Sequence, residues 1–130
     1  MIDEEALLAA NAAYYQAFQL ADFKAMSAIW HDGEVTCVHP GWRLIEGRGA
    51  VLESYRLIFL NPRQEAVVCQ DERVIVSGDM ARVLCVETVG GGALAATNLF
   101  IRDGGAWRLV HHQASPIAAR VAEPRPRRLN

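Results

Sequence analysis

The segment VTCVHPGWRLIEG, residues 35–47, is the part of this chain that decides the fold prediction. It predicts a short strand, a Pro-Gly corner and the start of a helix. His39 stands at the end of the strand, next to apolar residues. Because imidazole is the one side chain whose unperturbed pKa allows proton exchange near neutrality, His39 is the first candidate functional residue.

The residues before and after this segment have the spacing of helices. A first helix begins near Asp3, the expected N-cap, and a second covers residues 23–30 with Asp22 as its cap. A third covers residues 48–59 and stops before Asn61-Pro62. The predicted buried face of the first helix consists of Leu7, Ala10, Tyr14, Phe18 and Ala21.

From residue 65 onward the apolar period is that of strands. Besides a strand at residues 34–39, we expect strands at 65–76, 80–89, 93–102 and 106–115, with glycine-containing turns between the last three. Helices followed by an antiparallel meander predict an α+β fold. Three helices packed on one strongly curved, mostly antiparallel sheet would form a cone with a central pocket.

Both faces of the predicted sheet are largely apolar. Ala96, Asn98 and Phe100 share one face of their strand, and Leu99 and Ile101 lie on the other. One face covers the core or pocket, so the outer face needs a second cover. A homodimer through this outer face is the simplest prediction.

Composition limits the partners and the compartment. The chain has 130 residues and a net charge of −2, which favours neither nucleic acid nor an anionic membrane as a partner. We expect one domain at residues 1–118 and a disordered, basic, proline-containing tail at 119–130. Three cysteines, no long apolar run and no signal-like N-terminus lead us to expect reduced thiols and a cytoplasmic location.

The order of several short motifs resembles the nuclear transport factor 2-like superfamily, which has a cystatin-like cone fold and includes SnoaL-like proteins. By motif the chain is most similar to the association domain of calmodulin-dependent kinase, over residues 6–116. The matching segments are Ala21-Asp22-Phe23, Thr36-Cys37 with Pro40, Leu44-Ile45-Glu46-Gly47, and Trp107 with Val110-His111 and Ser115. The resemblance implies the cone fold and a pocket.

The chain departs from the kinase association domain at the pocket. It has His39 where that domain has an acidic residue, and Gln113 where that domain has a histidine. It has Glu87 and Asn98 where that domain has arginines, so the resemblance does not imply an arginine-lined site for carboxylates. This departure also weakens the expectation that the chain assembles into a large ring-shaped oligomer.

Ketosteroid isomerase is a more distant relative with a sharper chemical comparison. Its oxyanion-hole tyrosine lies eight residues before an aspartate, as Tyr14 does before Asp22. Its general base precedes a proline, and His39 before Pro40 has that place. The resemblance therefore implies His39 as general base and Tyr14 as oxyanion donor. The alternative is a pocket tyrosine and a hydrogen-bonded corner histidine.

We therefore predict a stand-alone protein that binds a small, partly apolar molecule and needs neither a metal nor a cofactor. Two alternatives stay open: a cofactor-free isomerase, dehydratase or cyclase, and an oligomerisation scaffold. Metal binding by His39 and His111 is less favoured, because no carboxylate completes the ligand set. The predicted pocket residues are Tyr14, Trp30, His39, Trp42, Phe59, Glu87, Asn98 and His111.

Overall fold

The computed structural model describes residues 2–118, and the predicted tail at 119–130 lies outside them. The helices are α1 (Asp3–Gln19), α2 (Phe23–Ile29) and α3 (Arg48–Phe59). The strands are β1 (Thr36–Val38), β2 (Ile45–Glu46), β3 (Val67–Ser77), β4 (Met80–Val89), β5 (Gly92–Asp103) and β6 (Ala106–Ile117). The predicted α+β cone, with three helices packed on a curved sheet, is confirmed.

The helix ends show where local sequence rules apply. Asp22 caps α2 as predicted, since its carboxylate accepts a hydrogen bond from the Ala25 amide at 3.0 Å. The prediction for Asp3 was wrong: it is the first helical residue of α1 and makes no cap. Its carboxylate instead accepts a hydrogen bond from Arg102 at 2.8 Å, which ties α1 to β5.

The six strands form one open sheet in the order β2-β1-β6-β5-β4-β3. All neighbouring strands are antiparallel except β1 and β6, which run parallel. The first predicted strand is shorter than expected, and the two-residue β2 was not predicted. The parallel pairing sets Cys37 opposite His112, which brings the end of β1, and with it His39, towards the middle of β6.

A β-bulge in β6 decides which histidine faces inward. Leu99 pairs with His111 while Phe100 pairs with Leu109, so Val110 is an extra residue opposite β5. The extra residue reverses the alternation, and Leu109 and His112 therefore both lie in the core. The predicted alternation, which put His111 on the inner face with Leu109, was wrong for this reason.

The core lies between the helices and the concave face of the sheet. Its largest fully buried side chains include Tyr14, Trp30 and Tyr55. Cys37 and Cys85 are buried as free thiols, and Cys69 is half-buried. Within residues 2–118, no helix is both long and apolar enough to span a membrane.

Candidate ligand-binding cavity

A cavity of about 570 Å³ opens between α1, the end of α3 and the concave face of the sheet. Most of its wall is apolar, and histidine, tyrosine and glutamate side chains interrupt it. The residues that line it are Tyr14, Tyr15, Phe18, His39, Pro40, Trp42, Leu57, Ile58, Asn61, Gln64, Val67, Glu87, Val89, Leu94 and His112.

Four of the eight predicted site residues line this cavity: Tyr14, His39, Trp42 and Glu87. Asn98 is fully buried and is hydrogen-bonded to lining residues. The other three predicted residues lie elsewhere, as follows.

Trp30 belongs to the core, where it packs against Tyr55 and its indole N–H has no hydrogen-bond partner in residues 2–118. Phe59 packs against Phe18, which does line the cavity. His111 is held outside the cavity by the bulge, and its ring nitrogens contact Thr36 at 2.7 Å and Gln113 at 3.0 Å.

The protonation of His39 follows from its neighbours. The Ser54 hydroxyl donates to the Val51 carbonyl at 2.6 Å, so it accepts from Nε2–H of His39 at 2.8 Å. The other nitrogen, Nδ1, is then the acceptor of a neutral ring. Burial lowers the pKa of His39 to about 4, and Trp42 and Tyr55 pack edge-on against the imidazole.

Tyr14 is held from two sides. Its hydroxyl lies 2.7 Å from the Tyr55 hydroxyl, and its ring stacks on His112 with the ring centroids 4.9 Å apart. Burial raises the pKa of Tyr14 well above its ordinary value, so the hydroxyl stays protonated at physiological pH. A ligand oxygen would have to compete with Tyr55 for this hydroxyl.

Hydrogen bonds from Asn98 orient the inner wall. Its amide nitrogen donates to Asn11 at 2.8 Å and to the Tyr15 hydroxyl at 3.1 Å. Its oxygen therefore accepts from Nδ1–H of His112 at 2.5 Å. This bond leaves Nε2 of His112 as the acceptor of a neutral ring, and burial lowers the pKa of His112 to about 3.

Glu87 is the acidic residue of the cavity. Its carboxyl group accepts a hydrogen bond from Tyr15, and Oε2 lies 3.9 Å from Nε2 of His112. Burial raises the pKa of Glu87, and the hydrogen bond from Tyr15 partly offsets this effect by favouring the carboxylate. No lysine or arginine among the lining residues compensates a carboxylate charge. The cavity thus presents a carboxyl group and a neutral imidazole side by side.

Sequence reasoning missed Tyr15, Ser54 and Tyr55, and it favoured His111 while leaving open which of His111 and His112 faces the cavity. Tyr15 follows Tyr14 directly, and both are buried because α1 packs against α2 and against three strands of the sheet, β3, β4 and β6. Ser54 and Tyr55 lie on the predicted third helix, where buried positions were not assigned. Only the apolar spacing of α3 could have identified them.

Within residues 2–118, the arrangement of the histidines gives little support for a metal site. His39 and His111 lie on different faces, so they share no site. An exposed cluster joins His31, Asp32 and Asp103, with His31 Nε2 at 3.0 Å from Asp103. Nδ1 of His31 already accepts from the Gly33 amide, so Nε2 carries the proton and no lone pair is available.

Comparison with known proteins confirms the family resemblance. Residues 7–119 match the family of SnoaL-like domains. The structure of a candidate dehydratase of the nuclear transport factor 2-like (NTF2-like) family from Streptomyces avermitilis is 35% identical, with a TM-score of 0.81, and the match covers 88% of this chain and 96% of that one.

Two further relatives are informative. A candidate calcium/calmodulin-dependent protein kinase type II association domain from Thiobacillus denitrificans is 29% identical, with a TM-score of 0.76, over 85% of this chain and 94% of that one. The F-box protein SKIP8 of Arabidopsis thaliana is 27% identical over 85% of this chain, which spans about half (49%) of that protein. The chain belongs to the SnoaL-like, NTF2-like superfamily.

Proposed function

We propose that this SnoaL-like protein binds a small, uncharged, partly apolar molecule in the cone cavity. The observation that carries the proposal is a mostly apolar cavity of about 570 Å³ in which burial keeps His39 and His112 neutral. Cavities of roughly 300–1,000 Å³ with a few convergent polar groups are typical of small-molecule sites. No lysine or arginine lies among the lining residues to compensate the charge of an anionic ligand.

Trp42 provides a direct test, because it is the one tryptophan of three that lines the cavity. We would titrate the ¹⁵N-labelled protein with 2-indanone and follow the three indole N–H signals. We expect the Trp42 signal to move and the Trp30 and Trp107 signals to stay.

Leu94→Trp fills the cavity and should abolish the shift, whereas Leu60→Trp, at an exposed position, should not. Unchanged Trp42 signals in the unmodified protein would contradict the proposal. Native mass spectrometry of gently purified protein would show whether a cellular ligand is retained.

We propose cofactor-free acid–base catalysis as a second candidate function: an isomerase, dehydratase or cyclase. It is favoured by the presence of His39 and Tyr14 in one cavity and by the 35% identity to a candidate dehydratase. His39, neutral at pH 7, would accept the proton, and Tyr14 would donate to a developing oxyanion. Once a substrate is known, His39→Gln and Tyr14→Phe should each lower kcat. Unchanged turnover in both variants would contradict this mechanism.

We also propose a homodimer through the outer sheet face, in a cytoplasmic setting. Leu84 and Leu99 alternate with buried positions and form part of a partly exposed apolar surface there. The free cysteines fit a reducing compartment. The similarity to an association domain keeps a scaffold role open as the third function, and assemblies larger than a dimer would favour it.

A further inference from the structure

We infer that Glu87 and His112 form a two-point site for a single hydroxyl oxygen, so that the cavity selects uncharged alcohols. This inference rests on the proposed binding function and assigns the ligand's chemical class. Neither the pairing nor the role of His112 was visible in the sequence, because the bulge at Val110 creates it.

The directions of the hydrogen bonds around Asn98 determine which nitrogen of His112 carries the proton. Asn98 uses its amide protons on Asn11 and Tyr15, so its oxygen must accept from His112. The one ring proton of neutral His112 is therefore on Nδ1, where it is donated to Asn98, and Nε2 is left with a lone pair that can accept a hydrogen bond. Because Asn98 is fully buried, this arrangement cannot relax into solvent.

Glu87 lies opposite the lone pair on Nε2 of His112. Oε2 of Glu87 lies 3.9 Å from Nε2 of His112, which is too long for a direct hydrogen bond. An oxygen atom placed about 2.8 Å from each atom bridges this gap at normal hydrogen-bond length. The gap thus fits one oxygen atom of a ligand.

The two sides of this gap require different hydrogen-bonding roles of the bridging atom. Burial raises the pKa of Glu87, and in its protonated form this carboxyl group donates a hydrogen bond, while Nε2 of His112 accepts one. A hydroxyl group accepts from the first and donates to the second. A ketone can only accept and leaves His112 unpartnered, and a carboxylate brings a charge that no lining cation compensates.

The experiment uses four probes with the same achiral body: indane, 2-indanone, 2-indanol and indane-2-carboxylate. Their dissociation constants for the full chain are measured by NMR titration on the Trp42 indole signal. Two added hydrogen bonds predict that 2-indanol binds about tenfold or more tighter than indane, with 2-indanone between them. Indane-2-carboxylate should bind more weakly than 2-indanol.

Glu87→Gln and Glu87→Leu form a matched pair. In glutamine, the amide nitrogen that takes the place of Oε2 donates one N–H to the bridging oxygen and the other to the Tyr15 hydroxyl, which then donates to Cys85 Sγ. The preference for 2-indanol should therefore persist. Leucine removes the donor and leaves only the hydrogen bond to Nε2 of His112, so the preference for 2-indanol over indane should fall by roughly three- to tenfold. The same preference in both variants would overturn the role of Glu87.

The outcomes separate the two proposals. If indane moves the Trp42 signal as strongly as 2-indanol, or if the carboxylate binds best, the hydroxyl site is wrong although the cavity binds ligands. If none of the four probes moves that signal, the binding function itself fails. These readings on the unmodified protein hold even where a Glu87 variant does not fold.

Discussion

Asn98→Leu should strongly destabilise the protein, although the two side chains have similar volumes. Asn98 is fully buried, and the substitution leaves the Asn11 oxygen and Nδ1–H of His112 without their partners. Tyr15 keeps its hydrogen bond to Glu87. Each buried unsatisfied group costs about 1–3 kcal/mol, so we expect a loss of about 4 kcal/mol.

Urea denaturation followed by tryptophan fluorescence measures this loss. With a slope of about 1.5 kcal/mol/M, the midpoint should fall by between about 2 and 3 M. Thr97→Val, one residue away on the outer face, is the control and should change the midpoint little. In Asn98→Leu, the ¹⁵N shifts of His112 should also lose the signature of a protonated Nδ1. A loss below about 1 kcal/mol, or an unchanged His112 tautomer, would refute the reasoning.

Three further predictions concern pH, a turn and the outer face. His39 and His112 have folded pKa values of about 4 and 3, below the usual 6.5, so the unfolded chain binds more protons as the pH falls. The stability that each neutral histidine contributes is therefore full above pH 6.5 and is lost as the pH falls towards its folded pKa, by up to about 1.4 kcal/mol per pH unit. In His39→Gln one histidine fewer contributes, so the slope of unfolding free energy against pH should be smaller. Gly47→Ala should lower stability by about 1–3 kcal/mol because Gly47 has φ +96°, whereas Gly49→Ala inside α3 should raise it by up to about 1 kcal/mol; thermal unfolding compares the two. Leu99→Glu, on the outer sheet face, should convert the proposed dimer to monomer in sedimentation velocity, and an unchanged assembly would argue against that interface.

The fold was largely predictable because its signals are local. The cap at Asp22 and the glycine turns between strands set the element boundaries, and the predicted limits of α3 match the structure. β2 was missed because two residues carry no detectable period. The parallel pairing of β1 with β6 depends on contacts between residues far apart in the chain.

The candidate site was only partly predictable, for a different physical reason. Tyr14 and His39 followed from the helical period and the Pro-Gly corner. The choice between His111 and His112 did not follow, because a single bulged residue, Val110, reverses the strand alternation and leaves no mark in the sequence pattern. Trp30 was misassigned because size and apolarity do not distinguish a core side chain from a cavity wall.

The parallel pairing of β1 with β6 also has a consequence for biosynthesis. Thr36 of β1 and its partner His111 of β6 are 75 residues apart in sequence, and β6 is inserted between β1 and β5. At about 5–20 residues per second, a ribosome would take on the order of 4–15 s to deliver β6 after β1 has been translated. During that interval the pairing of β1 with β6 cannot form, because one of the two strands has not yet been translated. His39 and His112 come together only when translation reaches β6, so the cavity wall is completed late in synthesis.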